Sequence, residues 1–332
     1  MENFDQLRAL GREGVAGKIV LYNARFDKEM AMQGFAGEAY GQAVVYRGTG
    51  ASIAAQLGAV GSLIRSVGGA DYRLPHTGSL RYLEDAPRIP AAAVTAEDAD
   101  LISYLAAQGK VRMRLILTPQ TLPDAPSFNV IADLKGTEHP EQIIVVSGHL
   151  DSWDLGTGAI DDAAGVGVAM QVAQLCRQLN LRPRRTIRVI AWMNEENGLA
   201  GGRTYATDHA SEVSNHIAAI ESDLGAGHPV GLSGHMSAKA LEILRPLSGV
   251  LQSSGAGILR RSEAAQGADI SPLDTAGVPT FAPIQDGRTY FNYHHTAADT
   301  LDKIVPRELA ENAAVIAVLA YALANLPQPL PR

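Results

Sequence analysis

The sequence predicts an α/β protein, with a mixed, mostly parallel central sheet flanked by helices and a smaller β-rich unit ahead of it. Three observations carry this reading. Beyond residue 127, short apolar runs alternate with stretches of helical period. Those runs are apolar at consecutive positions, as strands covered by helices on both faces require. The stretch 118–127, with Pro119, Pro123 and Pro126, reads as a connection, because proline continues neither a helix nor a central strand.

Three segments are therefore expected: an N-terminal segment 1–14, a β-rich unit 15–118 and a larger domain 119–332. In the first unit, Lys18-Ile19-Val20-Leu21-Tyr22 and Gln42-Ala43-Val44-Val45-Tyr46-Arg47 read as strands. Helical spacing over 50–64 leads into a strand at 62–66. Strands at 89–94 and 111–117 enclose a helix at about 96–108. The larger domain is expected to run strand 143–146, helix 164–179, strand 186–193, helix 199–208, strand 217–220 and a final helix at about 307–326.

A chain of 332 residues, 46% hydrophobic and 19% charged, can bury a large core. Its formal charge of −7 and the absence of a dense Lys/Arg run argue against nucleic acid or an anionic membrane as partners. No uninterrupted apolar run approaches the ~20 residues of a membrane span, and no export signal is evident. The single cysteine, Cys176, lies in an apolar-periodic stretch and reads as a buried structural thiol.

The informative polar residues stand at the ends of the expected strands, where open α/β sheets place ligand sites. The first strand runs out at His149-Leu150-Asp151. Next comes a glycine-rich turn carrying Asp161-Asp162, where helix capping explains one acid comfortably and repulsion between two favours a nearby cation. The second strand delivers Glu195-Glu196, a costly pair unless solvated or neutralised. The third delivers Glu221-Ser222-Asp223, and His294-His295 follows late in the chain. Each alone is a charged loop; the order His, Asp, Glu-Glu, Asp, His is hard to obtain by chance.

The phrases His149-Leu150-Asp151-Ser152-Trp153-Asp154 and Gly158-Ala159-Ile160-Asp161-Asp162 resemble the M28 family of zinc peptidases, and in particular a branch that carries a protease-associated domain. Residues from about 120 to 332 carry the likeness well, and 15–118 resemble the protease-associated insert more loosely. The resemblance implies a phosphorylase/hydrolase-like zinc-peptidase fold and two Zn2+ ions per chain. Asp161 would bridge them, with His149 and Asp223 on one ion and Glu196 and His295 on the other. It also implies Glu195 as general base and a cis peptide bond between Asp161 and Asp162. Of the adjacent histidines, the run His-Thr-Ala-Ala-Asp-Thr favours His295 as ligand. Asp151 and Asp299 are expected to orient imidazoles or balance charge, and Tyr290 and His294 to bind substrate or the oxyanion. The other histidines, His76, His209, His216 and His235 among them, are read as structural or surface residues.

By the same likeness the substrate is a dipeptide or short peptide with free ends and the assembly a homodimer. Relatives are commonly secreted or periplasmic. Members of the branch usually carry an export signal and a further stretch of catalytic domain ahead of the insert, which this chain enters almost at once. Either shortening or dispensability of those elements is expected.

The chemistry suits the residue types. Amide hydrolysis needs an activated water and a stabilised oxyanion, and paired metal ions held by histidine and carboxylates address both. Glu195, pointing away from its neighbour Glu196, could take the water's proton and hand it to the leaving amine. Other readings are an aminopeptidase of the same family, a non-catalytic receptor-like member, and a single-metal relative. A dinucleotide-binding protein is suggested by Arg47-Gly48-Thr49-Gly50, but Ile53 stands where the third glycine of that pattern belongs.

Overall fold

A computed structural model describes residues 1–332. It forms two compact units, Met1–Ala125 with Gly287–Asp299, and Pro126–Asp286 with Thr300–Arg332.

The first unit contains α1 (Phe4–Val15), β1 (Ile19–Tyr22), α2 (Lys28–Met32), α3 (Ala36–Gln56), β2 (Gly61–Arg65), β3 (Ala91–Val94) and α4 (Ala96–Gln108). The strands make one parallel sheet in the order β1-β2-β3. Asn3 opens α1 by accepting from the Gln6 N–H, and Thr95 opens α4 by accepting from Asp98.

Two strands that the sequence predicts here do not form. Residues 42–47 lie inside α3, where Ala36, Ala39, Ala43, Ala51, Ala54 and Ala55 make a buried stripe. High alanine propensity and that buried face override the local β preference of Val44 and Val45. Residues 111–117 pair with no strand, leaving Ile116 72% exposed. The unit thus has three short strands and four helices, a correction to the β-rich expectation. Arg47-Gly48-Thr49-Gly50 is also helical, not a strand-to-helix loop. Its Gly50 admits the Tyr22 ring, since a Cβ there would lie 2.7 Å from a ring carbon, and Tyr22 donates its hydroxyl to the Gly50 carbonyl at 2.8 Å. A packing role accounts for that glycine and removes the dinucleotide reading.

In the second unit the order is β4 (Val130–Leu134), β5 (His139–His149), α5 (Ala164–Gln178), β6 (Arg185–Trp192), α6 (Ala200–Asp208), β7 (His216–Glu221), β8 (Pro229–His235), α7 (Ala238–Leu244), α8 (Pro246–Leu251), β9 (Ile258–Ser262), α9 (Ser271–Thr275), β10 (Thr280–Gln285) and α10 (Pro306–Asn325). The seven strands lie in the order β4-β6-β5-β7-β10-β8-β9. The central four, β6-β5-β7-β10, are parallel; β4 at one edge and the β8-β9 pair at the other run against their neighbours.

Consecutive apolar positions serve opposite faces, as alternation along a strand demands. Ile144, Val146, Ile187 and Val189 pack against Val168 and Val172 of α5 and Ile316, Leu319 and Leu323 of α10. Ile143, Val145, Ile190 and Trp192 meet Tyr205 of α6 and Leu273 of α9. Cys176 is buried in the first of these layers. By length and composition α10 is long and apolar enough to cross a membrane, although its sequence holds no uninterrupted apolar run of that length. Its apolar stripe is accounted for by the sheet it covers.

Candidate metal centre

Four of the expected ligands come together in the second unit, at the C-terminal ends of its parallel strands. His149 closes β5 and is 1% exposed. Its Nδ1 donates to the Asp151 carbonyl at 2.8 Å, since a carbonyl can only accept. That fixes Nε2 as the nitrogen facing the acids, 3.2 Å from Asp161 Oδ1 and 3.3 Å from Asp223 Oδ1.

Asp161 and Asp162 sit in a tight π turn (Ala159–Ala163) before α5, and the peptide bond between them is cis. Asp162 is committed to backbone: Oδ2 accepts from the His149 N–H at 3.0 Å and Oδ1 from the Gly165 N–H at 3.1 Å. The turn can approach β7 because residue 165 is glycine. A Cβ there would lie 1.9 Å from the Ser222 carbonyl oxygen.

Glu195 and Glu196 follow β6 in a turn with left-handed backbone at Asn194 and Leu199 (φ 70° and 62°). The Asp151 carboxylate clamps this turn, accepting from the N–H of Glu195 at 3.0 Å and of Glu196 at 3.3 Å. The expected imidazole-orienting role thus falls to the backbone carbonyl of Asp151, and its side chain positions the paired glutamates. Glu196 also accepts from the Trp153 indole at 2.6 Å.

Electrostatics reflect this crowding of acids. Burial pushes Glu195 up to about 8, and the Asp223 charge adds to it. Burial and Asp223 likewise raise Asp162 well above the usual carboxylate range. At His149 burial opposes the imidazolium, but Asp161 and Asp223 outweigh it and raise the ring's proton affinity. Behind them are two acids that carried little sequence signal. Glu221, two residues before Asp223, accepts from the N–H groups of Asp269 and Ile270 and is pushed up to about 8, mainly by burial. Asp269, 1% exposed, has no hydrogen-bond partner for either carboxylate oxygen and rises to about 9, first through burial and then through Glu221.

Ligand atoms of His149, Asp161 and Glu196, and of His149, Asp162 and Asp223, lie within 4.8 Å of one another. A set of imidazole and carboxylate donors without thiolate, with its one histidine fixed to present Nε2, fits a divalent cation of the zinc type. A cation would also offset the mutual repulsion of the acids.

His295, His294, Tyr290 and Asp299 belong to the first unit. His295 has a left-handed backbone (φ 58°), a conformation an L side chain adopts at a cost and one that clusters at functional sites. The rings of His294 and His295 stack at 3.6 Å between centroids, and Tyr290 flanks His294 at 4.9 Å. Asp299 is buried, its N–H bonded to the Thr296 carbonyl. His76, set aside by sequence reasoning, is fully buried beside this pair, 3.1 Å from His294 Nδ1 through its Nε2. Burial and the neighbouring His294, His295 and Arg47 hold its pKa well below the ordinary histidine value. A single histidine separated from the pair by some 218 residues gives no local signal of this contact.

A mostly parallel sheet with histidine and acids gathered at its carboxyl edge defines a metal-dependent hydrolase, here one that cleaves peptide bonds: residues 129–320 match the model of peptidase family M28. The chain is 39% identical over 331 residues to carboxypeptidase Q of Bos taurus, covering 99% of this chain and 67% of that protein. For carboxypeptidase Q of Homo sapiens the figures are 38% over 331 residues, with the same coverage. Among solved structures, a peptidase M28 precursor from Shewanella amazonensis SB2B superposes with a TM-score of 0.89 at 38% identity, covering 100% of this chain and 75% of that one. The chain belongs to peptidase family M28, and is a metallopeptidase.

Proposed function

We propose that this metallopeptidase is a two-zinc exopeptidase acting on dipeptides or short peptides; the exopeptidase part accords with the name carboxypeptidase Q that its relatives carry. The observation that carries the reading is His149 Nε2, directed at both Asp161 and Asp223 by the bond from Nδ1 to the Asp151 carbonyl. In this reading His149, Asp161, Glu196 and Asp223 are ligands with Asp161 shared between the ions. The fifth ligand, His295, is taken from the resemblance alone. Zinc, when bound, would supply the positive charge that acidifies a water and polarises the scissile carbonyl.

Glu195 takes the proton from the attacking water and delivers it to the leaving amine. The Asp151 carboxylate holds the backbone of the Glu195–Glu196 turn, and in this reading Glu195 would move the proton while Glu196 would hold the ion. Asp299 would balance charge near His295, and Tyr290 and His294 would meet the peptide. We further read residues 15–118 as a protease-associated-like domain and the assembly as a homodimer.

The test is a dipeptide panel with added zinc, run beside N-blocked, C-blocked and doubly blocked peptides and a chelator control. Zinc-dependent cleavage of unblocked dipeptides is expected, and loss of cleavage on blocking one end identifies the end that is read. Equal cleavage of doubly blocked peptides would overturn the exopeptidase assignment.

A further inference from the structure

We propose that the cavity between α1, β1, β2 and α4 is a binding site for a long-chain carboxylate, with the chain on its apolar floor and the carboxylate against Lys18, Lys110 and Arg112. The site lies wholly in the first unit and owes nothing to the metal centre.

The cavity measures about 700 Å³, within the roughly 300–1,000 Å³ typical of small-molecule sites. Its floor is apolar and buried: Leu7 and Val15 come from α1, Val20 from β1 and Leu63 from β2. The space persists because small residues stand where larger side chains would close it. Position 106 on α4 is an alanine, and a Cβ at Gly17 would meet nothing within 4 Å. At the mouth Leu10 and Val60 are 46% and 55% exposed, apolar surface that an apolar chain would cover. An apolar space of this size forfeits dispersion contacts along its lining, and an unbranched chain restores them.

The charge of the lining is of one sign. Lys18, Lys110 and Arg112 line the cavity and no aspartate or glutamate does, in a chain whose formal charge is −7. Lys18 Nζ donates to the Gly14 carbonyl at 2.6 Å, and an ammonium has three hydrogens to give. The Arg112 guanidinium carries the paired donors that a carboxylate accepts. Both Lys110 and Arg112 stand on the segment that leaves α4 and pairs with no strand, and Val111 and Met113 of that segment line the same cavity. An apolar floor below a cationic mouth suits an anion with a long apolar body. A β-strand is the alternative occupant, since β1 is an edge of its sheet. Met1 already pairs there: its ammonium donates to the Leu21 carbonyl and its carbonyl accepts from the Asn23 N–H, each at 2.8 Å. The edge left to a strand is short, and ladder bonds make no use of three cations.

The test uses the whole chain and cis-parinarate, a fluorescent long-chain carboxylate, displaced by shorter carboxylates kept below their micelle-forming concentrations. One site per chain is expected, and affinity should rise about fourfold for each methylene from octanoate to dodecanoate, as burial of a methylene gives. Methyl esters of the same acids should bind about tenfold more weakly. Lys110→Gln combined with Arg112→Gln should weaken the carboxylates by a similar factor, about tenfold, and leave the esters unmoved. Ala106→Trp, altered at an exposed helix position, should fill the cavity and weaken acids and esters alike, by about tenfold or more. If Ala106→Trp does not fold, the paired substitution on the exposed segment carries the test. Affinity that ignores chain length would overturn the apolar floor, and esters binding as tightly as acids would overturn the cationic mouth. Binding to phosphatidylglycerol vesicles but not to monomeric carboxylates would make this surface a membrane contact and sink the proposal. So would an uncharged apolar heptapeptide amide that displaces parinarate more readily than dodecanoate does.

Discussion

Glu195 owes its proton affinity to its surroundings, burial first and the Asp223 charge second. If it is the general base, Glu195→Gln should keep its metal and lose turnover by about 10²–10⁴-fold; near-normal turnover with full metal content would end that assignment. Glu221 and Asp269 allow a pH prediction. Their carboxyls are pushed up to about 8 and about 9, against about 4 for the same groups in an unfolded chain. Between those values the folded state holds more protons than the unfolded one, so its stability declines as pH rises through the window. Thermal unfolding in chelator should therefore show a midpoint falling from pH 5 to pH 9. Asp269→Asn, which has no proton to lose, should flatten the decline. An unchanged slope in that variant would mean that Asp269 is not among its sources.

At the level of elements, the site depends on how closely the start of α5 approaches the end of β7. Gly165→Ala would put a methyl 1.9 Å from the Ser222 carbonyl oxygen, which backbone cannot yield cheaply. It should cost about 1–3 kcal/mol in urea unfolding, as overpacking does, and weaken zinc binding. Gly167, two residues further along the same helix, meets nothing within 4 Å. Gly167→Ala should stabilise by about 0.5–1 kcal/mol through helix propensity alone. Equal effects at the two glycines would rule out close approach as the reason for Gly165. The elements themselves were unequally legible. Helix 96–108 is where α4 forms, and the strands and helices expected over 143–220 and at 307–326 form within a few residues of expectation, because their apolar periods match their packing, whereas β8, β9, β10 and α7 to α9, between residues 229 and 285, had no counterpart in the sequence reading. Residues 42–47 and 111–117 carried a β pattern too, but a strand exists only with a partner for its ladder.

For the whole molecule, metal and fold are expected to be coupled, since an ion that binds the folded state alone stabilises it by mass action, about 2.7 kcal/mol at a hundredfold excess over Kd. Chelation should abolish peptide cleavage and lower the melting temperature, and zinc should restore both. Metal analysis of the active protein should return two equivalents per chain. Full activity at one equivalent would exclude the paired-ion mechanism. The family membership makes peptide cleavage secure, whereas which end of the peptide is read depends on groups that only the blocked-peptide panel can expose.

Acids and histidines at strand ends were visible in the sequence because they interrupt apolar runs, and a run of letters is enough to show that interruption. His149, Asp161, Glu195, Glu196 and Asp223 declared themselves in this way, and so did the sheet that carries them. Tertiary structure alone decided what each polar atom faces. It gave the imidazole of His149 to the Asp151 carbonyl and the Asp151 carboxylate to the glutamate turn. It also brought Asp269 behind Glu221 and His76 against His294. Hydrogen bonds between residues 48 or 218 positions apart leave no local pattern, because direction and distance in space are set by packing and not by spacing along the chain.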